Sequence, residues 1–144
     1  MFIEYNNGDL MGFLGNIFGS NNKNTKVKKE ETVTPVKDYA EEFKVASENA
    51  TELLDMDKIL ENWRNNNANY ANDANYWGAV FIILGQAKMH GLDSQIKLYD
   101  FNNYKTYALK ASSLKPQNES LHAWFLSNVK LTMDMLELTG QITL

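Results

Sequence analysis

The chain has 144 residues, no cysteine and a formal net charge of −4. That length fits one domain burying roughly two thirds of the surface its unfolded chain exposes, so neither metal nor disulfide is needed to explain folding. The lack of Cys excludes disulfides, thiolate nucleophiles and Cys-based zinc or iron–sulfur centres, and it favours a reducing compartment. The acidic balance argues against general affinity for nucleic acid, which needs clustered Lys and Arg to neutralise phosphates. No basic, apolar and small-residue signal pattern opens the chain, and the longest apolar run, Ala79 to Leu84, is too short to span a bilayer. A cytoplasmic protein is expected. Its Asn-rich, Lys- and Ile-rich composition is what an AT-rich genome encodes, pointing to a bacterial or phage source.

Charge is uneven along the chain. Met11 to Lys29 carries four Lys and no acid, whereas Asp38 to Glu61 carries eight acids and two Lys. Residues 1–37 are expected to form a flexible N-terminal arm and 38–144 a helical domain. Gly8-Asp9 can be encoded by GGAGAT, which resembles a ribosome-binding site, so initiation at Met11 is expected. Phe13, Leu14, Ile17 and Phe18 fall on one side of a short amphipathic segment, 12–19. The polar, charged stretch from Gly19 to Pro35 cannot bury enough to offset its ordering entropy and reads as a linker.

Asp38 is positioned to cap a first helix, with Glu41 three residues on. Tyr39, Phe43, Ala46, Ala50 and Leu53 recur at helical spacing, giving one apolar stripe and an acidic opposite face. Met56, Ile59, Leu60 and Trp63 form a second stripe, with a break expected at Asn65 to Asn67. From Asn72 or Asp73 to His90 apolar residues surround more than half of a helix, which must therefore be contacted on several sides. Gly91 ends it. Ile96, Leu98 and Tyr99 are expected to pack inward from a loop or short helix. Asn102 or Asn103 should cap a helix through Leu114, ended by Pro116, and Asn118 a last one to about Leu138 with Leu121, Trp124, Phe125, Val129, Met133 and Leu136 buried. The fold class is all-α, a small helical bundle or hairpin array.

Ala111-Ser-Ser-Leu-Lys-Pro-Gln-Asn118, Leu84-Gly85 and Phe101 together give about residues 74–118 a pattern that resembles a tetratricopeptide repeat, in which a small residue packs on the partner helix and Pro precedes the next one. Two departures accompany it. The span from Gly85 to Pro116 is about seven residues longer than the repeat consensus, and Tyr104 stands where a small residue is usual. The resemblance implies helical-hairpin packing and protein or peptide binding.

No catalytic constellation emerges. There is no Gly-rich phosphate loop, nucleophile elbow or His-Glu-x-x-His motif. His90 and His122 lack ligand partners at helical spacing, with His90 better placed to meet a helix C-terminus. The carboxylate neighbours Glu41 and Glu42, Asp55 and Asp57, and Asp134 and Glu137 read as solvated faces. No enzymatic activity, cofactor or metal is expected. Trp77 and Trp124 read as core, and Trp63 is balanced between core and interface.

The expectation is a non-enzymatic helical protein-binding or adaptor module. Glu41, Glu42, Glu48 and Glu52 would face a basic partner, and Trp63 and Tyr70 would add aromatic contacts. Phe13, Leu14, Ile17 and Phe18 would dock the arm on a partner or weakly on an anionic membrane surface. An alternative with the same composition is a defence-related protein, such as a toxin immunity protein or small inhibitor. Oligomeric state is left open.

Overall fold

A computed structural model describes residues 37–143, so the arm residues Phe13, Leu14, Ile17 and Phe18 lie outside the described residues. Asp38 starts the first helix, α1 (Tyr39–Glu48), its Oδ1 accepting the Glu41 amide at 3.1 Å. Tyr39, Ala40, Phe43 and Ala46 are buried. The predicted stripe does not continue through Ala50 and Leu53. Ala50 takes a left-handed φ of 57°, and Ala50 and Thr51 donate back to Ser47 and Ala46 at 3.1 and 3.0 Å. This paired closure is the one glycine usually makes at a helix end, and at Gly91 the Gly91 and Leu92 amides make it by donating to Lys88 and Ala87.

The second helix, α2 (Leu53–Asn66), starts before Met56 and runs through two of the three asparagines at the expected break. It buries Met56, Ile59, Leu60 and Trp63. A 3₁₀ turn, Tyr70–Asn72, leads to Asp73, which caps α3 (Ala74–Met89) through the Asn75 amide at 3.0 Å. Every residue of α3 from Ala74 to Gly85 is buried, as is Ala87. Beyond it Ile96 is buried and Tyr99 half-buried, but Leu98, expected inside, is 58% exposed. The chain bends at Leu98 and Tyr99, with Tyr99 turned inward and Leu98 outward.

Two predicted caps are also displaced. Asp100, rather than Asn102 or Asn103, accepts the Asn102 amide at 2.9 Å, and a 3₁₀ turn, Phe101–Asn103, precedes α4 (Tyr104–Ser113). A second such turn, Glu119–Leu121, precedes α5 (His122–Leu138). Asn118 makes no cap bond; its side chain accepts from Ser120 and donates to Asp38 Oδ2, both at 2.7 Å.

Side-chain pairs fix the topology. Tyr39 stacks on Trp63 and Trp63 meets Tyr76 edge-on, so α1, α2 and α3 alternate in direction. Trp77 stacks on Tyr107 and Phe81 lies against Tyr104, making α4 antiparallel to α3. Gly78 faces Phe125 and Gly85 faces Thr132, which sets α5 parallel to α3. The fold is therefore an all-α bundle in which α1, α2, α4 and α5 surround α3. At the end where α3 begins, loops and caps are laced together by hydrogen bonds. Asp73 Oδ1 also accepts the Gln117 amide at 3.1 Å, Asn75 Nδ2 donates to the Asn118 carbonyl at 2.9 Å, and Asn67 Nδ2 donates to Gln117 Oε1 at 3.0 Å.

Two outcomes follow for stability. Ala50→Gly removes a left-handed alanine costing about 1–2 kcal/mol but enlarges the unfolded ensemble, so urea unfolding should show a net gain of about 0.5–1 kcal/mol. Gly85→Ala should lose stability despite alanine's better helix propensity of about 1 kcal/mol. Its Cβ would lie 2.3 Å from Thr132 Cγ2, a methyl on a stiff β-branched side chain that cannot give way. A loss of about 1–3 kcal/mol is expected, and combining the change with Thr132→Ser should cost less than the sum of the two single changes.

Candidate functional site

Tyr76 faces inward from the first turn of α3 and is fully buried, so its hydroxyl must find a partner. It finds two. Arg64, in the last turn of α2, donates from a guanidinium nitrogen at 3.2 Å, and the Tyr99 hydroxyl makes a short hydrogen bond with Tyr76 from the α3–α4 connection. The Arg64 guanidinium also lies over the Tyr99 ring, 5.8 Å from its centre. Tyr99 thereby touches α2 through Arg64, α3 through Tyr76 and Trp77, and α4 through Tyr107, plugging the space between α2 and α4. Tyr70 meets the Tyr76 ring edge-on at 4.9 Å from the neighbouring 3₁₀ turn. On the α4 side Lys110 Nζ sits 4.2 Å above the Trp77 ring.

Burial drives the Tyr76 hydroxyl far above its ordinary pKa, opposed by the bond from Arg64, and the hydroxyl stays protonated. Burial likewise raises Tyr99, with Tyr76 and Arg64 pulling the other way. For Arg64 burial acts to lower the pKa, but Tyr76, Tyr99 and Asp57 outweigh it and hold the cation. Asp57, two turns earlier on α2, is half-buried, and desolvation raises its pKa; Arg64 opposes that shift and Glu61 reinforces it. No salt bridge joins Arg64 or Lys110 to a carboxylate among the described residues. The arrangement is a cation held rigidly at the rim of an aromatic cluster, with donors to spare.

The expected site residues fall in different places. Trp63, expected at a partner surface, is 1% exposed and is core, set between Tyr39 and Tyr76. Successive helical residues point about 100° apart, so Arg64 reaches the rim while Trp63 faces inward. Tyr70 is half-buried beside the Arg64 cluster. Glu41, Glu48 and Glu52 are exposed and Glu42 is half-buried, while Glu48 is paired with Lys44 at 3.1 Å. His122 Nε2 lies 2.9 Å from the Ala111 carbonyl, and His90 is exposed at the far end of α3. Parallel α3 and α5 keep these two histidines about 20 Å apart. Among the described residues no group of three His, Asp or Glu is placed to hold a metal, and no helix is long and apolar enough to cross a membrane.

No family model, curated protein or solved structure matches this chain.

Because the folded state raises Asp57 above its ordinary carboxylate range, it binds the proton more tightly than the unfolded chain does. Its contribution is favourable at low pH and is lost as pH rises through the unfolded and then the folded pKa. Asp57→Asn should therefore raise the thermal midpoint near neutral pH, with the gain vanishing below about pH 4. Thermal melts of both proteins across that range check the sign.

Proposed function

We propose that the chain is a non-enzymatic helical binding module whose partner is another protein, and that the contact face is the rim over Tyr99. The observation that carries this is the Arg64 guanidinium, oriented by the Tyr76 hydroxyl and the Tyr99 ring with no carboxylate pairing it among the described residues. Arg and Tyr are enriched among residues that dominate binding energy, and pre-ordering a long side chain reduces what association costs.

The order of helix contacts supports a hairpin-array reading. α1 rests on α3 and α3 on α5, with α2 and α4 completing antiparallel pairs, which is how stacked helical hairpins follow one another. A small residue, Ala111, is buried near Gly78 on the partner helix, as the tetratricopeptide resemblance implies. The exposed Glu41, Glu48 and Glu52 form a second, acidic surface, partly neutralised by Lys44. Binding would take place in the cytoplasm, with segment 12–19 adding weak attachment to a partner or an anionic membrane.

Affinity capture from the source cell with the full chain tests the reading. A discrete protein retained in near-stoichiometric amount should be lost with Arg64→Ala and kept when Glu41, Glu48 and Glu52 are changed to Lys. Retention by Arg64→Ala with loss on the triple Lys change would move the contact to α1. Failure of the intact chain to retain any discrete protein would overturn the proposal.

A further inference from the structure

We infer that the segment recognised at the Tyr99 rim is acidic, a stretch of partner polypeptide that sets one carboxylate on Arg64 and another on Lys110. This rests on the protein-binding reading and adds the chemistry of the partner. A guanidinium carries five N–H donors in a planar fork matched to carboxylate, and Arg64 directs donors to Tyr76 and Tyr99, leaving others of the five for a ligand. Lys110, from α4, also makes no salt bridge among the described residues. Between the two cations lie the rings they cover, Tyr99 and Trp77, with centres 5.7 Å apart. The two positive charges therefore sit over two rings that meet edge to face at 72°, one cation coming from α2 and the other from α4.

Local charge agrees with this placement. Residues 97–115 hold four Lys against the single acid Asp100, and α4 itself has two Lys and no acid. The α4 side of the rim is thus basic on a chain of net charge −4, whereas on the α2 side Arg64 shares its helix with Asp57 and Glu61. A lysine stem laid over an indole with its head in water would account for Lys110 alone. It does not account for a guanidinium fixed between two tyrosines. Asp57 attracts Arg64 through space without forming a salt bridge.

A single-stranded nucleic acid is the competing occupant, since aromatics beside cations also suit bases and phosphates. Base stacking needs an open ring face. Trp77 is covered by Tyr107, stacked at 5.8 Å and 7°, and by Lys110, while Arg64 lies over Tyr99. The rim offers charge rather than ring faces, which favours carboxylates.

The test is an NMR titration of the full ¹⁵N-labelled chain with end-blocked octaglutamate, with octalysine, inorganic phosphate and an oligothymidylate as separate arms. Octaglutamate should give saturable shifts at the Arg64 Nε–H and the Tyr99 and Lys110 amides, weakening as salt is added. Arg64→Gln combined with Lys110→Gln should weaken it by about tenfold or more, and Lys130→Gln on α5 should leave it unchanged. Both variants keep the buried tyrosines and part of each apolar stem, and their melts report folding.

No saturable response to octaglutamate overturns the inference. So does binding that survives the double change, as it would if the lysines at positions 23–29 alone took the peptide. An equal or stronger response at the same resonances to phosphate or oligothymidylate overturns it in favour of a phosphate ligand. If octaglutamate fails while Arg64→Ala still abolishes capture of a cellular protein, the acidic chemistry falls and the protein-binding reading stands.

Discussion

The constraint on which the structure depends is that α3 has no polar side. Twelve consecutive residues, Ala74 to Gly85, are buried, so the helix must be covered all round. Four neighbouring helices do this where one could not. Close approach on the α5 side is possible because Gly78 and Gly85 present only backbone toward Phe125 and Thr132. The remaining sector, between α2 and α4, is closed by side chains from the loops, chiefly Tyr99 and Tyr70. The aromatic cluster at the candidate site is thus part of what covers α3.

Burying the start of α3 also explains the polar seam at that end. The first amides of a helix have no partners within it, and here they lie where water is excluded. Asp73 supplies an acceptor for both the Asn75 and Gln117 amides, although burial raises its pKa against those two bonds. Asn75 spends its amide nitrogen on the Asn118 carbonyl, and Asn118 in turn reaches Asp38. One buried helix start therefore ties the cap of α1 to the loop between α4 and α5, joining the first and last parts of the domain.

Much of this was legible in the sequence because periodicity reports burial directly. The stripes of α1 up to Ala46 and of α2, the Phe125, Val129 and Leu136 part of that of α5, and the all-round apolar character of α3 follow from the 3.6-residue repeat. Leu121, Trp124 and Met133, expected inside, are half-buried. Helix ends were harder. Gly91 announced its own turn, but Ala50 makes the same turn without glycine and so left no mark. The 3₁₀ turns before α4 and α5 moved one cap to Asp100 and left Asn118 without a cap bond, because local hydrogen bonding, rather than apolar spacing, decides such details. The candidate site was the least legible part. Arg64 and Tyr99 are far apart in sequence, and neither stands in a motif. The usable signal was Tyr76, a hydroxyl inside an otherwise apolar helix, which required a polar partner from some neighbouring element.

That requirement limits how the site can work. Tyr99 cannot be pushed aside cheaply, because its departure would expose Tyr76 and Trp77 and remove one of the Tyr76 hydroxyl's two partners. A partner is therefore better placed on the rim than inserted through it, and contact falls to groups that already point outward. Among these, Arg64 is the one whose position is fixed by the core itself. A bond that helps satisfy a buried tyrosine also aims the guanidinium, so one interaction serves both the α2–α3 contact and the orientation of the binding group. Loosening that bond would leave the Tyr76 hydroxyl with Tyr99 alone and cost the rim its pre-ordered cation.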